Sequence, residues 1–373
     1  MFKSVLVIGH IRGIRIEIHV SWLIIFALLM FALSAGFHQH YPDWSMPVVL
    51  ITALLTIVTF FASIVAHELG HSLVAIRRGV PVRAITLFIF GGVAQLSRDS
   101  ESARDEFWIA IAGPIVSFAL ALAFSLLSGA TAAISEPLSV GLGWLALINF
   151  IVAVFNLIPG FPLDGGRVFR ALVWMATGNA QTGMKFAVMG GRLVAYALFG
   201  LGLWSMLALG NLIGGLWIMV IAWFLLNSAE ASGRHFDLSQ RLQGIRAGDV
   251  GNADIPHVDQ STTIDQWVEQ QVLQDGNRTC FVTENDTLLG LVTLSDARSV
   301  NRDVWPQTRV GEIMTPADKV IKVMPDTPVN ELLQLMSERN LNQVPIMDGS
   351  RLVGWIDRQR MLRTIEIHLE LEA

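Results

Sequence analysis

Residues 60–79 read "FFASIVAHELGHSLVAIRRG", an apolar run that carries three ionisable side chains before it reaches its first arginine. The three are His67, Glu68 and His71. Ionisable side chains inside a membrane-spanning segment are rare and usually functional, because each must be paired or hydrated. In a soluble protein, two histidines and a glutamate on a solvated helix face would be the simpler reading. Within this apolar run, the stretch predicts a polar site inside a membrane span.

The composition divides the chain into a membrane half and a soluble half. Of the 373 residues, 53% are hydrophobic and 15% are charged, whereas soluble domains carry about 25% charged residues. The shortage of charge is concentrated in the first 230 positions. A net charge of -5 and the lack of a Lys/Arg-rich run argue against a nucleic-acid partner. The single cysteine, Cys280, excludes an intrachain disulfide.

Six apolar runs are long enough to cross the core of a lipid bilayer, which takes about twenty helical residues. The predicted spans are 18–36, 47–76, 107–130, 140–158, 188–208 and 211–229. The loop-rich region 159–187 has room for a half-helix. The N-terminus lacks the pattern of a removable signal, so we expect the first span to be retained.

The placement of basic residues predicts the orientation of the spans. The turns at 37–46, 131–139 and 209–211 contain no Lys or Arg, so all 26 basic residues fall on the other side. By the positive-inside rule both termini face the cytoplasm, as an even number of spans requires. We therefore expect a multi-pass protein of the plasma (inner) membrane, with its soluble half in the cytoplasm.

The segment "HELGH", residues 67–71, matches the H-E-x-x-H pattern. Residues four apart share one face of a helix, so the imidazoles of His67 and His71 can reach one metal ion. Glu68 is displaced by about 100° around the helix axis, beside the metal. There it can accept a proton from a metal-bound water. Because catalytic zinc usually has three protein ligands plus water, one ligand is still missing.

The segment "FNLIPGFPLDGGRVFR", residues 155–170, is the expected source of the third ligand. Its acid, Asp164, stands between two prolines and a pair of glycines. Prolines interrupt a helix and glycines permit close backbone approach, which suits an irregular segment that lines a polar cavity. An ordinary cytoplasmic turn with Asp164 as a helix N-cap fits the same residues. The segment alone leaves both alternatives open.

The H-E-x-x-H pattern in the second span, joined with N-x-x-P-x-x-P-L-D-G-G at 156–166, resembles the site-2 protease family of intramembrane zinc metalloproteases. The resemblance covers roughly 1–230. It implies one zinc ion per chain and a substrate that is a membrane-spanning protein, cut within or next to its transmembrane helix. The implied zinc ligands are His67, His71 and Asp164.

The same resemblance implies that Glu68 is the general base. Asn156 matches the asparagine that the family has before its proline. It would hydrogen-bond the substrate backbone or the oxyanion, although capping the broken helix is an equally good reading. Both residues are thus candidate catalytic residues.

The apolar segment "AITLFIFGGVAQL", residues 84–96, is β-prone and is interrupted by two glycines. It resembles the family's membrane-embedded β-hairpin near the active site. An unpaired strand edge there could add a strand from an unwound substrate. An amphipathic loop on the membrane interface remains an alternative.

An internal repeat with a period of about 64 residues follows in the soluble half. The segment "CFVTENDTLLGLVTLSDA" aligns with "QVPIMDGSRLVGWIDRQR", and each unit reads as strands and helices in alternation. The pair is similar to tandem cystathionine-β-synthase (CBS) domains. We therefore expect a polytopic α-helical membrane protein followed by a soluble α+β tandem CBS module. The predicted domains are the transmembrane zinc metalloprotease at 1–230, a linker at 231–243, and CBS repeats at 244–305 and 306–373.

Paired CBS repeats often bind adenine nucleotides, and this resemblance implies such a ligand here. Thr293 and Asp296 match the family's Gly-x-x-Thr-x-x-Asp ending, whose hydroxyl and carboxylate bind the ribose. Asp357 and Arg360 occupy those places in the second repeat, which looks degraded. The alternatives are one adenine-nucleotide site at most, or a module without ligand that joins two chains in a homodimer.

The resulting hypothesis is an intramembrane zinc endopeptidase that acts in regulated intramembrane proteolysis, with a cytoplasmic CBS pair for regulation or dimerisation. A CBS-regulated zinc or ion transporter is the alternative from another class. Glu68 discriminates between them, because a transporter needs no general base beside two ligands. A non-cutting scaffold and a membrane metalloprotease for soluble peptides also remain open.

Overall fold

The computed structural model describes residues 5–89, 91–96, 100–242, 244–284, 287–359, 361 and 363–364. The chain forms two compact units, Met1–Phe236 and Asp237–Ala373. The division lies close to the predicted end of the membrane half at 230. Arg360, one of the positions compared between the two repeats, lies outside the described residues.

The membrane half is built mainly from helices. In chain order they are α1 (Trp22–His40), α2 (Met46–Arg77), α3 (Ala103–Thr131), α4 (Glu136–Asn156), α5 (Asp164–Thr177), α6 (Ala180–Leu209) and α7 (Leu212–Arg241). Among the described residues, six helices are long and apolar enough to cross a membrane, namely α1, α2, α3, α4, α6 and α7. The shorter α5 is the half-helix for which the region 159–187 had room.

Local sequence explains where several of these helices begin and end. The hydroxyl of Ser102 accepts the backbone N–H of Asp105 and so caps the start of α3. Asn179 caps α6 in the same way. Gly210, at φ 66°, ends α6 in the left-handed conformation that glycine adopts without strain. The predicted turn at 209–211 therefore separates α6 from α7.

Strands before and after the first two helices form a four-stranded sheet in the described part of this unit, with the order β1-β2-β3-β4. The central pair β2 and β3 is parallel, and the outer pairs are antiparallel. The strands are β1 (Val5–Ile11), β2 (Ile14–His19), β3 (Val82–Phe88) and β4 (Gly91–Leu96). The segment 84–96 is thus a hairpin instead of a loop. The predicted first span began too early, because Ile18 and His19 complete β2.

Helices α2 and α3 lie against each other through small residues. A Cβ atom added at Gly70 of α2 would lie 2.9 Å from Val116 Cγ2 and 3.0 Å from the Ala112 carbonyl oxygen of α3. Only glycine leaves room for this approach, as at other close helix crossings in membranes. On its other side, α2 packs on the sheet through an apolar cluster that includes Ile16 and Ile85. The middle of α2 is therefore enclosed by α3 and the sheet.

The soluble half contains one mixed sheet, in the order β5-β6-β7-β10-β9 with β8 beside β7, among its described residues. Its strands are β5 (His257–Val258), β6 (Thr279–Glu284), β7 (Thr287–Thr293), β8 (Thr315–Pro316), β9 (Gln343–Asp348) and β10 (Arg351–Asp357). Its helices are α8 (Ala247–Val250), α9 (Ile264–Trp267), α10 (Leu294–Arg298), α11 (Val310–Ile313) and α12 (Val329–Glu338), with a π-helix at Val268–Gln274 and a 3-10 turn at Arg302–Val304. The hairpins β6–β7 and β9–β10 come from the two repeats that align in the sequence.

Candidate metal centre

Two imidazoles on α2 form the base of the candidate metal centre. His67 and His71 are 4% and 5% exposed, so the surrounding protein encloses both rings. Their Nε2 atoms lie 3.2 Å apart, as expected for side chains one helical turn from each other. Two nitrogen donors therefore point to one place between α2 and α3.

Asp164, the first residue of α5, brings a third donor atom to the same place. Its Oδ2 atom lies 3.1 Å from His67 Nε2 and 3.2 Å from His71 Nε2. The N-cap position of α5 belongs to Leu163, so the Asp164 side chain is not the helix cap that the sequence left open. It closes a triangle with the two histidines, which come from a different helix.

The size of this triangle suits a zinc ion. A tetrahedral zinc site with ligand bonds of about 2.0–2.1 Å has ligand–ligand edges of roughly 3.3 Å. The three observed edges are 3.1, 3.2 and 3.2 Å. Two imidazole nitrogens and one carboxylate oxygen also match the donor set of catalytic zinc in enzymes that keep a fourth position for water.

Hydrogen bonds on the far side of each ring orient the donor nitrogens. His71 Nδ1 lies 2.7 Å from the carbonyl oxygen of Ile109, which can only accept. This contact assigns the proton of a neutral ring to Nδ1 and leaves the Nε2 lone pair for the centre. His67 Nδ1 lies 2.8 Å from Ser117 Oγ. The His71 Nε2 lone pair faces the Asp164 Oδ2 atom at 3.2 Å, and such a pair of acceptors calls for a cation, so the residues present fit zinc.

Glycine on α3 provides the space in front of the imidazoles. A Cβ atom added at Gly113 would lie 2.7 Å from His67 Nε2 and would clash with His71 Nε2 as well. Real Cβ atoms essentially never come within 3.0 Å of a non-bonded heavy atom from elsewhere in the fold. The position therefore admits no side chain while the two rings keep their places.

Glu68 lies beside the three donors and is not one of them. The three-residue cluster whose donor atoms could hold one metal ion, among the described residues, is His67, His71 and Asp164. The Glu68 side chain packs on β4, where a Cβ atom added at Gly92 would lie 2.6 Å from Glu68 Cγ and 3.2 Å from Oε1. The β3–β4 hairpin thus borders the candidate base, and glycine at this point lets it come close.

The loop that leads to Asp164 is held on α6 by backbone contacts. The N–H of Phe161 donates to the carbonyl oxygen of Ala187 at 3.0 Å. A Cβ atom added at Gly160 would lie 2.5 Å from the backbone nitrogen of Gly191. Close approach of this kind leaves the loop few alternative paths, so the start of α5 has a defined place.

Three further candidate residues are Asn156, Thr293 and Asp296. Asn156 is the last residue of α4 and is half-buried. In the soluble half, Thr293 caps α10, and its Oγ1 donates to Asp296 Oδ2 at 2.7 Å. Thr293 and Asp296, the two ribose-binding candidates, therefore form a capping box with each other.

Burial raises the pKa of the Cys280 thiol to about 11, so this side chain is a neutral core group and no nucleophile.

Sequence reasoning missed the part of the site that α3 provides. Ile109 and Ser117 hold the imidazoles, and Gly113 makes room for them. The spacing of these residues would put them on one helix face, and Ser117 is a polar residue within a predicted span. That signal was present, but the partner helix and its register were unknown.

We expect Ser117→Ala to weaken zinc binding by about 10- to 100-fold, the usual cost of removing a hydrogen bond that orients a metal ligand. His67 would keep its position on α2, but its ring would lose the partner of Nδ1. Chelator competition on the purified protein measures the zinc affinity. Ser128→Ala is the matched control, because it removes a hydroxyl from the same helix that bonds to Ser139 instead. Equal zinc affinity in both variants would mean that packing alone orients His67.

The model of Peptidase family M50 matches residues 55–141 and 129–198, and the CBS domain model matches residues 310–367. A protein of Synechocystis sp. named as a zinc metalloprotease is 32% identical over 369 residues, which are 96% of this chain and 95% of the relative.

Two further relatives also span nearly the whole chain. The protein Rip3 of Mycobacterium tuberculosis, also named as a zinc metalloprotease, is 32% identical over 98% of this chain and 94% of its own length. A zinc metalloprotease of Methanocaldococcus jannaschii is 29% identical over 97% and 96%. The chain belongs to Peptidase family M50, the site-2 proteases, and is a multi-pass, zinc-dependent intramembrane endopeptidase that carries a CBS domain.

Proposed function

We propose that His67, His71 and Asp164 hold the zinc ion and that Glu68 is the general base for peptide hydrolysis. The observation that carries this proposal is the triangle of donor atoms with edges of 3.1–3.2 Å, formed by residues from two helices. Glu68 follows His67 directly in the chain and lies beside the triangle, where a base is needed.

The chemistry requires a proton to move twice. A zinc ion held by these three residues would act as a Lewis acid, which would polarise the scissile carbonyl and lower the pKa of a bound water to about 7. The Glu68 carboxylate takes a proton from the attacking water as the oxygen–carbon bond forms. The same carboxyl then gives this proton to the leaving nitrogen as the carbon–nitrogen bond breaks. Asn156 is proposed to hydrogen-bond the substrate backbone or the oxyanion.

The proposed substrate is a membrane protein that is cut within or next to its transmembrane helix. A substrate helix hides its own carbonyls in hydrogen bonds, so it must unwind locally before the attack. Strand β4 ends the strand order of the sheet and borders Glu68 through Gly92. Its outer edge is therefore the proposed place where an unwound substrate strand adds to the sheet.

We further propose that both termini and the CBS pair lie in the cytoplasm, with the enzyme in the plasma (inner) membrane. The support is the charge pattern, because the turns between α1 and α2, α3 and α4, and α6 and α7 contain no Lys or Arg. The proposed domains remain 1–230 and the repeats 244–305 and 306–373. The helix α7 continues to Arg241 and so covers most of the proposed linker 231–243.

For the CBS pair we propose a regulatory role, with at most one adenine nucleotide at Thr293 and Asp296, or a role in homodimer formation. The hydroxyl and the carboxylate of this pair bond to each other at 2.7 Å. A ribose that binds there has to compete with this capping box, which favours weak, reversible binding. Such binding suits a sensor of nucleotide concentration.

The test uses the purified full-length chain in lipid vesicles. Its substrates are single-span membrane proteins and a soluble peptide that contains the same cleaved sequence. We expect cleavage of the membrane proteins within or next to their spans and much slower cleavage of the peptide. Equal cleavage of the soluble peptide would contradict the proposed substrate class. A rate that changes when ATP is added supports nucleotide regulation, whereas an unchanged rate with no calorimetric heat supports the ligand-free module.

A further inference from the structure

A carboxylate and a guanidinium are buried against each other where α3 meets α5. Glu106 is 2% exposed and Arg170 is 7% exposed. Arg170 Nη2 lies 3.0 Å from Glu106 Oε2, and Arg167 Nε lies 3.8 Å from Oε1 of the same carboxylate. Buried charges are costly unless they are paired, and a buried pair breaks at a large penalty when one partner is lost. Loss of either partner would leave the other charge buried and unpaired, so the pair ties the place of α5 to that of α3.

Aromatic and sulfur groups hold the guanidinium in one position. The Arg170 Cζ atom lies 4.7 Å from the centroid of the Phe236 ring, a cation–π distance. Its Nη1 donates to Met184 Sδ at 3.9 Å. The geometry of the planar guanidinium is thus set from several sides, and a shift of α5 would disturb all of these contacts.

The two arginines follow Asp164 on the same short helix. Asp164 opens α5, Arg167 lies about one turn later and Arg170 nearly two turns later. Because a short helix moves as a rigid body, the position of its second turn also determines that of its first turn. The contacts of Glu106 with the two arginines therefore act on the Asp164 carboxylate through α5, together with the backbone contacts that hold the preceding loop on α6.

The face of α3 that carries Glu106 also contacts the two histidines. Glu106, Ile109, Gly113 and Ser117 follow one another at spacings of three and four, so they share one helix face. Ile109 holds His71 and Ser117 holds the other imidazole. One face of α3 thus contacts both histidines and the helix that brings the third donor.

We propose that Glu106 is a positioning residue for the metal centre. Its ion pair with Arg170 sets the place of α5 against α3, so that Asp164 Oδ2 meets the imidazole pair at 3.1–3.2 Å. The inference rests on the proposed role of Asp164 as a zinc ligand. It adds a residue that does not touch the zinc but decides whether three ligands or two are in place.

The test compares purified full-length Glu106→Gln with the wild type. We expect a zinc affinity that is about 10- to 100-fold lower, as for other residues that orient metal ligands. The visible spectrum of the cobalt-loaded protein reports the ligands directly, and we expect it to shift toward that of cobalt-loaded Asp164→Asn. A pair that only stabilised the fold would lower the unfolding temperature and leave the spectrum unchanged, which would overturn the proposal.

Glu230→Gln is the matched control, because it makes the same substitution in another ion pair of the membrane half. Glu230 Oε1 lies 3.6 Å from Arg192 Nη2, and both side chains are partly exposed. We expect this variant to bind zinc with wild-type affinity. If Glu230→Gln lost as much zinc affinity as Glu106→Gln, the effect would not be specific to Glu106, and the proposal would be overturned.

Asp164→Asn, measured in parallel, separates the failure of this inference from the failure of the proposed function. If Asp164→Asn loses zinc affinity while Glu106→Gln keeps it, the positioning role is wrong and the ligand role stands. If Asp164→Asn keeps wild-type affinity, the ligand role fails and the positioning role with it. If Glu106→Gln does not fold, Glu106→Asp replaces it, since it keeps the charge and shortens the side chain by one methylene. Wild-type zinc affinity and spectrum in Glu106→Asp would then overturn the proposal.

Discussion

Glu68→Gln is expected to keep its zinc and to cleave peptide bonds about 10²- to 10⁴-fold more slowly than the wild type, which is the usual contribution of a general acid–base group. The amide has nearly the shape of the carboxylate, so packing against Gly92 of β4 is preserved. It cannot take a proton from the attacking water, however, and it has none to return to the leaving nitrogen. Binding of the metal is unaffected in this view, because the donor atoms belong to His67, His71 and Asp164.

Two measurements on the same preparation are needed, namely the zinc content per chain and the cleavage rate of a single-span membrane protein. Glu136→Gln serves as the control, because Glu136 lies at the start of α4 and accepts a hydrogen bond from Trp44 Nε1 at 3.0 Å. The control should keep both zinc and activity. Cleavage by purified Glu68→Gln at the wild-type rate would remove Glu68 from the mechanism. Loss of zinc together with activity would instead make Glu68 part of the metal centre.

Gly113→Ala is expected to abolish zinc binding and cleavage together. The new methyl group would lie 2.7 Å from His67 Nε2 and in collision with His71 Nε2. Relief requires the rings to turn away or the helices to separate. Separation of α2 from α3 would lose the close packing at Gly70, where an added Cβ atom would lie 3.0 Å from the Ala112 carbonyl oxygen. The rings must therefore move, which opens the triangle of donor atoms.

The measurement is again zinc affinity by chelator competition, combined with the thermal unfolding of the metal-free protein. Gly129→Ala is the matched control on the same helix, because nothing lies within 4 Å of a Cβ atom added there. It should bind zinc normally and gain up to about 1 kcal/mol of stability, since alanine is the better helix former. Wild-type zinc affinity in Gly113→Ala would show that the imidazoles do not occupy the place described here.

Much of the site could be expected from local sequence. The two histidines are one turn apart on a helix, so their shared face follows from helix geometry and needs no knowledge of the rest of the molecule. Glu68 is displaced from that face for the same reason. The spans follow from apolar runs of about twenty residues, since a membrane leaves the backbone few alternatives to a helix.

Other parts of the prediction depended on a choice that the local sequence leaves open. Asp164 fitted both a ligand and a helix N-cap, and the structure gives the N-cap position to Leu163. The segment 84–96 fitted both a loop and a hairpin, and it is a hairpin whose glycine borders Glu68. Thr293 and Asp296 matched a ribose-binding motif, and the structure joins them in a capping box. In each case the alternatives share the same residue types and differ only in what surrounds them.

The sequence by itself determined the membrane half with its spans, the repeat in the soluble half and the paired imidazoles on α2, because each follows from periodicity or composition within one segment. Only the tertiary structure decided that Asp164 meets those imidazoles, that one face of α3 holds them through Ile109 and Ser117, and that Glu106 pairs with Arg170. These contacts join segments that are far apart in the chain. Their geometry depends on the register in which helices pack, and packing depends on side chains from all the helices at once.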